Sequence, residues 1–187
     1  MLAFAMVSTK DLLHNAPAVG FEQPFEMLVA CHDRVRRSLD LLARLIAHVD
    51  RHGHDAQSRS AAQDVLRYFD LAAPHHHEDE ERHVFPRLLA SGDEALVQAV
   101  HRLRADHERM SQTWSALSGH LVAWAEPGAT VPADASMRAQ AESFQALYAA
   151  HLPVEEGLVF PAARSRCDEA ALGTMGREMQ QRRQASP

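Results

Sequence analysis

The sequence predicts an all-α protein: an antiparallel up-down-up-down four-helix bundle with a short N-terminal arm and a short C-terminal helix. Three observations carry that prediction. Ala, Leu, Arg, Gln and Glu dominate, glycine is sparse at 8 of 187 residues, and no Val/Ile-rich run alternates with period two, so strands have no obvious place. Breakers at His52-Gly53-His54-Asp55, at Ser91-Gly92-Asp93 and from Glu126-Pro127-Gly128 through Pro132-Ala133-Asp134 cut the chain into four long segments. Within them apolar residues recur in steps of three and four, the period of a helix with one buried face.

The segments give helices over 23–51, 56–90, 93–125 and 135–164, each roughly 30 residues or ~45 Å long at ~1.5 Å rise per residue. The first helix sets Phe25, Leu28, His32, Val35, Leu39, Leu42, Ile46 and Val49 on one stripe. The second sets Leu66, Phe69, Ala73, His76 and Glu80 on its core face. The third is the most regular, with Leu96, Val100, Leu103, His107, Met110, Trp114, Leu117 and Leu121. The fourth gives Phe144, Tyr148, His151, Glu155 and Ala162. Short connections between the first three helices favour antiparallel neighbours. Residues 1–20 read as an arm, 21–165 as the bundle, and 166–187 as a tail with a short helix over Asp168–Arg183. Pro74 and Pro153 lie two residues from His76 and His151 and are predicted to bend or widen their helices without ending them.

Composition excludes several classes. The formal net charge is -6 with Lys and Arg scattered, so no basic face calls for nucleic acid or a membrane surface. Met1 to Val7 lacks a basic leader and is cut short by Ser8-Thr9-Lys10-Asp11, and no apolar run reaches membrane-spanning length. A cytoplasmic protein is expected. Cys31 and Cys167 lie in different segments without CxxC spacing, which argues against a disulfide framework or a zinc ribbon. The 13 histidines are the anomaly.

An internal repeat organises them. At a constant offset of 75 residues, His32 maps to His107, His76 to His151, Glu80 to Glu155, Glu81 to Glu156, Phe69 to Phe144, Val84 to Val159, and Phe85-Pro86 to Phe160-Pro161. A His and a Glu four residues apart stand on one helix face, one turn apart, so both reach a single point. His76 with Glu80 is the preferred register, because His77 with Glu81 would bring Asp70 onto the core face and lose the match to His151 and Glu155. Ionised carboxylates in an apolar interior need a compensating cation. Imidazole and carboxylate without thiolate suit iron, manganese or zinc, and two carboxylates able to bridge point to a dinuclear site, with iron leading. The candidate metal ligands are His32, His76, Glu80, His107, His151 and Glu155. His83, whose repeat partner is Leu158, reads as an exposed or network residue. Tyr148 reads as packed core, Cys31 as an inert thiol, and His75, His77, His52, His54 and His101 as solvent-facing.

At these residues the sequence resembles the hemerythrin-like HHE cation-binding family, a helical His followed by HxxxE, given twice, over about residues 22–164. The resemblance implies a four-helix bundle around a non-haem di-iron centre, with His32 and His107 as single ligands and Glu80 and Glu155 as bridges. It also implies a range of activities: binding or reacting with oxygen, peroxide or nitric oxide, iron handling, and repair of iron-sulfur clusters. The oxygen carriers have a further histidine one turn from the single ligand on the third helix. Here those positions are Leu103 and Ser111, so the match is closer to the repair and stress-response members. Three roles follow as expectations: a sensor or carrier of small oxidants, a di-iron enzyme for cluster repair or peroxide reduction, and a scaffold with adventitious metal. A protein partner or a second copy of the chain is compatible with each.

Overall fold

The computed structural model describes residues 19–185 and is helical throughout, with no strand among the described residues. Helix α1 is Pro24–His52, opened by a proline whose missing N–H costs nothing in the first turn. It stops at Gly53, whose φ of 74° lets its N–H return to the Val49 carbonyl. Helix α2 covers 56–89, α3 is Glu94–Ala125, α4 covers 135–164 and α5 is Glu169–Ala185. The starts of α2, α3 and α4 are each capped by an aspartate. Asp55 forms a reciprocal box with Ser58, Asp93 accepts from the Ala95 and Leu96 N–H groups, and Asp134 accepts from Met137. These starts and stops fall within a residue of those read from the sequence, the ordinary scatter of helix ends.

Helices α2 and α4 widen into π turns at Tyr68–Ala72, Glu80–Val84 and Glu155–Val159. Each π turn ends two residues before a proline: Pro74, Pro86 and Pro161. The cause is local. A proline inside a helix offers no N–H to the carbonyl four residues back and its ring collides with that carbonyl, at a cost of about 3 kcal/mol. Inserting one residue into the preceding turn moves the carbonyl away. The widening expected near Pro74 is present, but Pro153 lies within the regular stretch Ala135–Val154. The π turn there begins at Glu155 and belongs to Pro161. The inserted residue also advances the buried face by one position: Ala163, not Ala162, is fully buried in α4.

Helix α1 packs against α2, α2 against α3, α3 against α4, and α4 against α1. Two apolar clusters fill the interior. One is built from Val35, Leu42, Phe69, Met110, Leu117, Trp124, Phe144 and their neighbours. The other gathers Phe25, Leu28, Phe85, Leu103, Phe160 and, from α5, Leu172, Met175 and Met179. The polar residues of the repeat form the layer between them. Helix α5 lies close to the start of the described chain: a Cβ on Gly176 would fall 1.8 Å from the Phe21 carbonyl oxygen, so only glycine fits there. Among the described residues no helix is long and apolar enough to cross a membrane.

Candidate metal centre

All six side chains singled out by the repeat are buried: His32, Glu80 and Glu155 completely, His151 and His76 at 1% and 2%, and His107 at 5% exposure. They meet in two groups of four whose potential donor atoms lie within 4.8 Å of one another, His32-His76-Glu80-Glu155 and Glu80-His107-His151-Glu155. The two glutamates belong to both groups. His32 Nε2 is 3.0 Å from His76 Nε2 and 3.2 Å from Glu155 Oε2, and His76 Nε2 is 3.2 Å from Glu80 Oε1. On the other side His107 Nε2 is 3.4 Å from Glu80 Oε2 and 3.9 Å from Glu155 Oε1, while His151 Nε2 is 2.8 Å from Glu155 Oε1. Each carboxylate therefore offers one oxygen to each pair of histidines.

A metal-free layer would leave this arrangement poorly satisfied. Both oxygens of Glu80 and of Glu155, and Nε2 of His107 and His151, are buried without a well-formed hydrogen bond among the described residues. Orphaned buried acceptors of this kind are rare and costly. Here they converge, as a cation requires. Burial and the Glu155 carboxylate push the Glu80 pKa well up. Burial acts the same way on Glu155, but the imidazoles of His107, His151 and His32 outweigh it and hold Glu155 ionised. Burial likewise opposes charge on His107, and the surrounding Glu155, Glu80 and Glu81 carboxylates override it, raising its pKa to about 11. The donors suit a cation of mixed nitrogen and oxygen preference.

Behind the donors stands an outer ring of acids. His32 Nδ1 is 2.8 Å from Glu156 Oε1, and His107 Nδ1 is 2.8 Å from Glu81 Oε1. These two acids are equivalent in the repeat, and each crosses to a histidine of the other half. Carboxylates in this position fix the ring tautomer and leave Nε2 free to ligate. Ring stacking completes the orientation, with Phe160 on His32 at 5.3 Å and Phe85 on His107 at 5.6 Å.

Several minor expectations change. His77 is not solvent-facing: it is half-buried and its ring stacks on His107 at 3.9 Å and 12°. His54 is half-buried too, its Nε2–H donating to the Val131 carbonyl at 2.7 Å, whereas His52 and His101 are exposed. His83 is a network residue, 2.5 Å from Glu178 on α5. Asp70 is exposed and accepts from the Trp114 indole, as the chosen register requires. Sequence reasoning missed Asp79 altogether. It is fully buried beside Glu80 and is held by Arg182 and Arg183 of α5.

The fold and this layer define a helical protein whose core carries buried His/Glu groups able to hold metal. The hemerythrin HHE cation binding domain model matches residues 23–179, and the chain belongs to that family. It is also 32% identical over 174 residues to a Haemophilus influenzae protein described as uncharacterized, a match spanning 93% of this chain and 98% of that one.

Proposed function

We propose that the chain binds two iron ions within an antiparallel up-down-up-down four-helix bundle. His32 and His76 would hold one ion and His107 and His151 the other, with Glu80 and Glu155 shared between them. The observation that carries this reading is that both glutamates, and no histidine, belong to both four-donor groups. Zinc and manganese fit the same donor types, and iron is favoured by the family's HHE pattern and by paired bridging carboxylates. Iron held this way would supply a redox-active centre with exchangeable coordination positions, since four protein donors leave a six-coordinate ion incomplete.

The function proposed for that centre is to bind or react with small oxidants, oxygen, peroxide or nitric oxide, in stress response or iron handling in the cytoplasm. The cytoplasmic assignment draws on Cys31 and Cys167, both free thiols. The protein's own contribution is positional. Glu81 and Glu156 orient the single histidines, and the apolar clusters above and below the layer exclude bulk water. Anaerobic reconstitution with iron(II), followed by iron counting and exposure to azide, nitric oxide, peroxide and oxygen in a spectrometer, tests the proposal. Two irons per chain and ligand-induced bands are expected. Fewer than one iron per chain, or a spectrum that no small ligand perturbs, would overturn it.

A further inference from the structure

We infer that the two metal positions are unequal, the His107–His151 position holding its ion more tightly than the His32–His76 position. This rests on the dinuclear reading above and comes from where the 75-residue repeat breaks. The six donors obey the repeat, but three residues around them do not, and all three departures favour the same side.

The first departure lies behind the HxxxE histidines. His151 Nδ1 is 3.4 Å from Asp106 Oδ2, Arg109 pairing only with the other oxygen of that carboxylate, and Asp106 is 6% exposed. The residue equivalent to Asp106 is Cys31, whose thiol is a weak acceptor beside a carboxylate. His76 Nδ1 is correspondingly buried with no hydrogen-bond partner among the described residues. One HxxxE histidine is thus backed by an acid and the other by nothing.

The second departure is His77, whose equivalent is Leu152. His107 is clasped between His77 and Phe85, whereas His32 has the matching phenylalanine, Phe160, and no stacked imidazole among the described residues, His76 meeting it edge-on at 4.8 Å. The third is Arg36, whose equivalent is Ser111. Arg36 Nη2 lies 2.6 Å from Glu156 Oε1, the same oxygen that faces His32 Nδ1. The guanidinium draws charge from the acid that should make His32 a better donor. Glu81 faces His107 with no guanidinium in hydrogen-bond contact among the described residues, Arg104 acting on it only at longer range.

A backing carboxylate raises imidazole basicity and fixes its ring, and losing one lowers metal affinity about 10- to 100-fold. A difference of that order between the two positions is expected. Functionally, one ion stays and anchors the centre while the other exchanges, the property needed by a protein that gains or gives up iron.

The test is anaerobic titration of the full metal-free chain with cobalt(II) alone, followed by visible absorption in competition with a chelator. Wild type should bind two ions in steps separated about 10- to 100-fold. Asp106→Asn should weaken the tight step and bring the two together. His76→Ala should leave the tight step intact, and His151→Ala should leave only the loose one; this pair decides the matter even if Asp106→Asn folds poorly. Two equal steps in wild type, or loss of the tight step in His76→Ala, would overturn the inference while leaving the dinuclear reading standing. A wild-type chain that takes up no cobalt would overturn both.

Discussion

Replacing Asp79 with alanine should loosen α5 from the bundle and destabilise the protein by about 2 to 3 kcal/mol. The Asp79 carboxylate is fully buried and accepts from Arg182 Nη2 at 2.5 Å and from Arg183 Nη1 at 3.2 Å and Nη2 at 2.5 Å. Removing one partner of a buried pair costs about 3 to 5 kcal/mol when the other is left uncompensated. Here the stranded charges are not fully buried, since the side chains of Arg182 and Arg183 are 12% and 24% exposed. Arg182 also keeps Glu178 and Glu78 at 3.0 and 3.2 Å. The loss therefore falls below that range. At about 2 to 4 °C per kcal/mol for a chain of this size, the midpoint should drop by roughly 4 to 12 °C. A thermal melt followed by circular dichroism measures the drop, and limited proteolysis should show early cleavage within Glu169–Ala185, because a helix of that length is marginal once undocked. A midpoint within about 2 °C of wild type, with α5 still protected, would refute the argument that Asp79 is the main polar tether.

Other expectations can be checked alongside. Glu80→Gln and Glu155→Gln should each drop metal content below one ion per chain, because a shared donor leaves both groups, whereas His76→Ala should retain about one and His77→Ala about two; elemental analysis after desalting decides. Glu178 is held down to about pKa 2 by Arg182 and His83. Its contribution is therefore complete above pH 4.5 and lost as pH falls from 4.5 toward 2, so melts of wild type and Glu178→Gln should differ near pH 6 and converge near pH 2. Pro86→Ala should let the preceding π turn revert toward regular helix, rotating Glu80 against its partners. Metal content should fall although α2 gains propensity, and unchanged metal binding would show that the π turn is not held by the proline.

The helices and the convergence of six buried His and Glu side chains were legible because both rest on spacing. A stripe such as Leu96, Val100, Leu103, His107 and Met110 reports its own buried face, and the repeat chose His76 over His77 without any structure. What was not legible depends on phase and on distance. Pro86 and Pro161 were visible as part of the repeat, yet their effect, a residue inserted into the turn ahead, moved the core face from Ala162 to Ala163. The stacking of His77 on His107 is a contact between α2 and α3 that spacing within one helix does not report. Asp79 carries no periodic mark, and its partners Arg182 and Arg183 lie more than a hundred residues away on a helix the sequence marked only as short. Glu81 and Glu156 stood in the repeat without an assigned role, because hydrogen bonds between the halves become visible only once α1 meets α4 and α2 meets α3.

Those crossed contacts explain how a doubled sequence becomes one centre instead of two. Had Glu81 served His32 and Glu156 served His107, each half would orient its own histidine and the halves could separate with their sites intact. Instead Glu156 on α4 reaches His32 on α1, and Glu81 on α2 reaches His107 on α3, so each single histidine is oriented only when the neighbouring helix is docked. The two shared glutamates act in the same direction, because Glu155 of the second half lies 3.2 Å from His32 of the first and Glu80 of the first lies 3.4 Å from His107 of the second. Burial and the Glu155 carboxylate push the Glu80 pKa well up, and several polar atoms of this layer are buried unpaired among the described residues. A ligand that binds the folded chain and not the unfolded one stabilises the fold by mass action. Docking of the two halves and occupation of the centre are thus one coupled equilibrium.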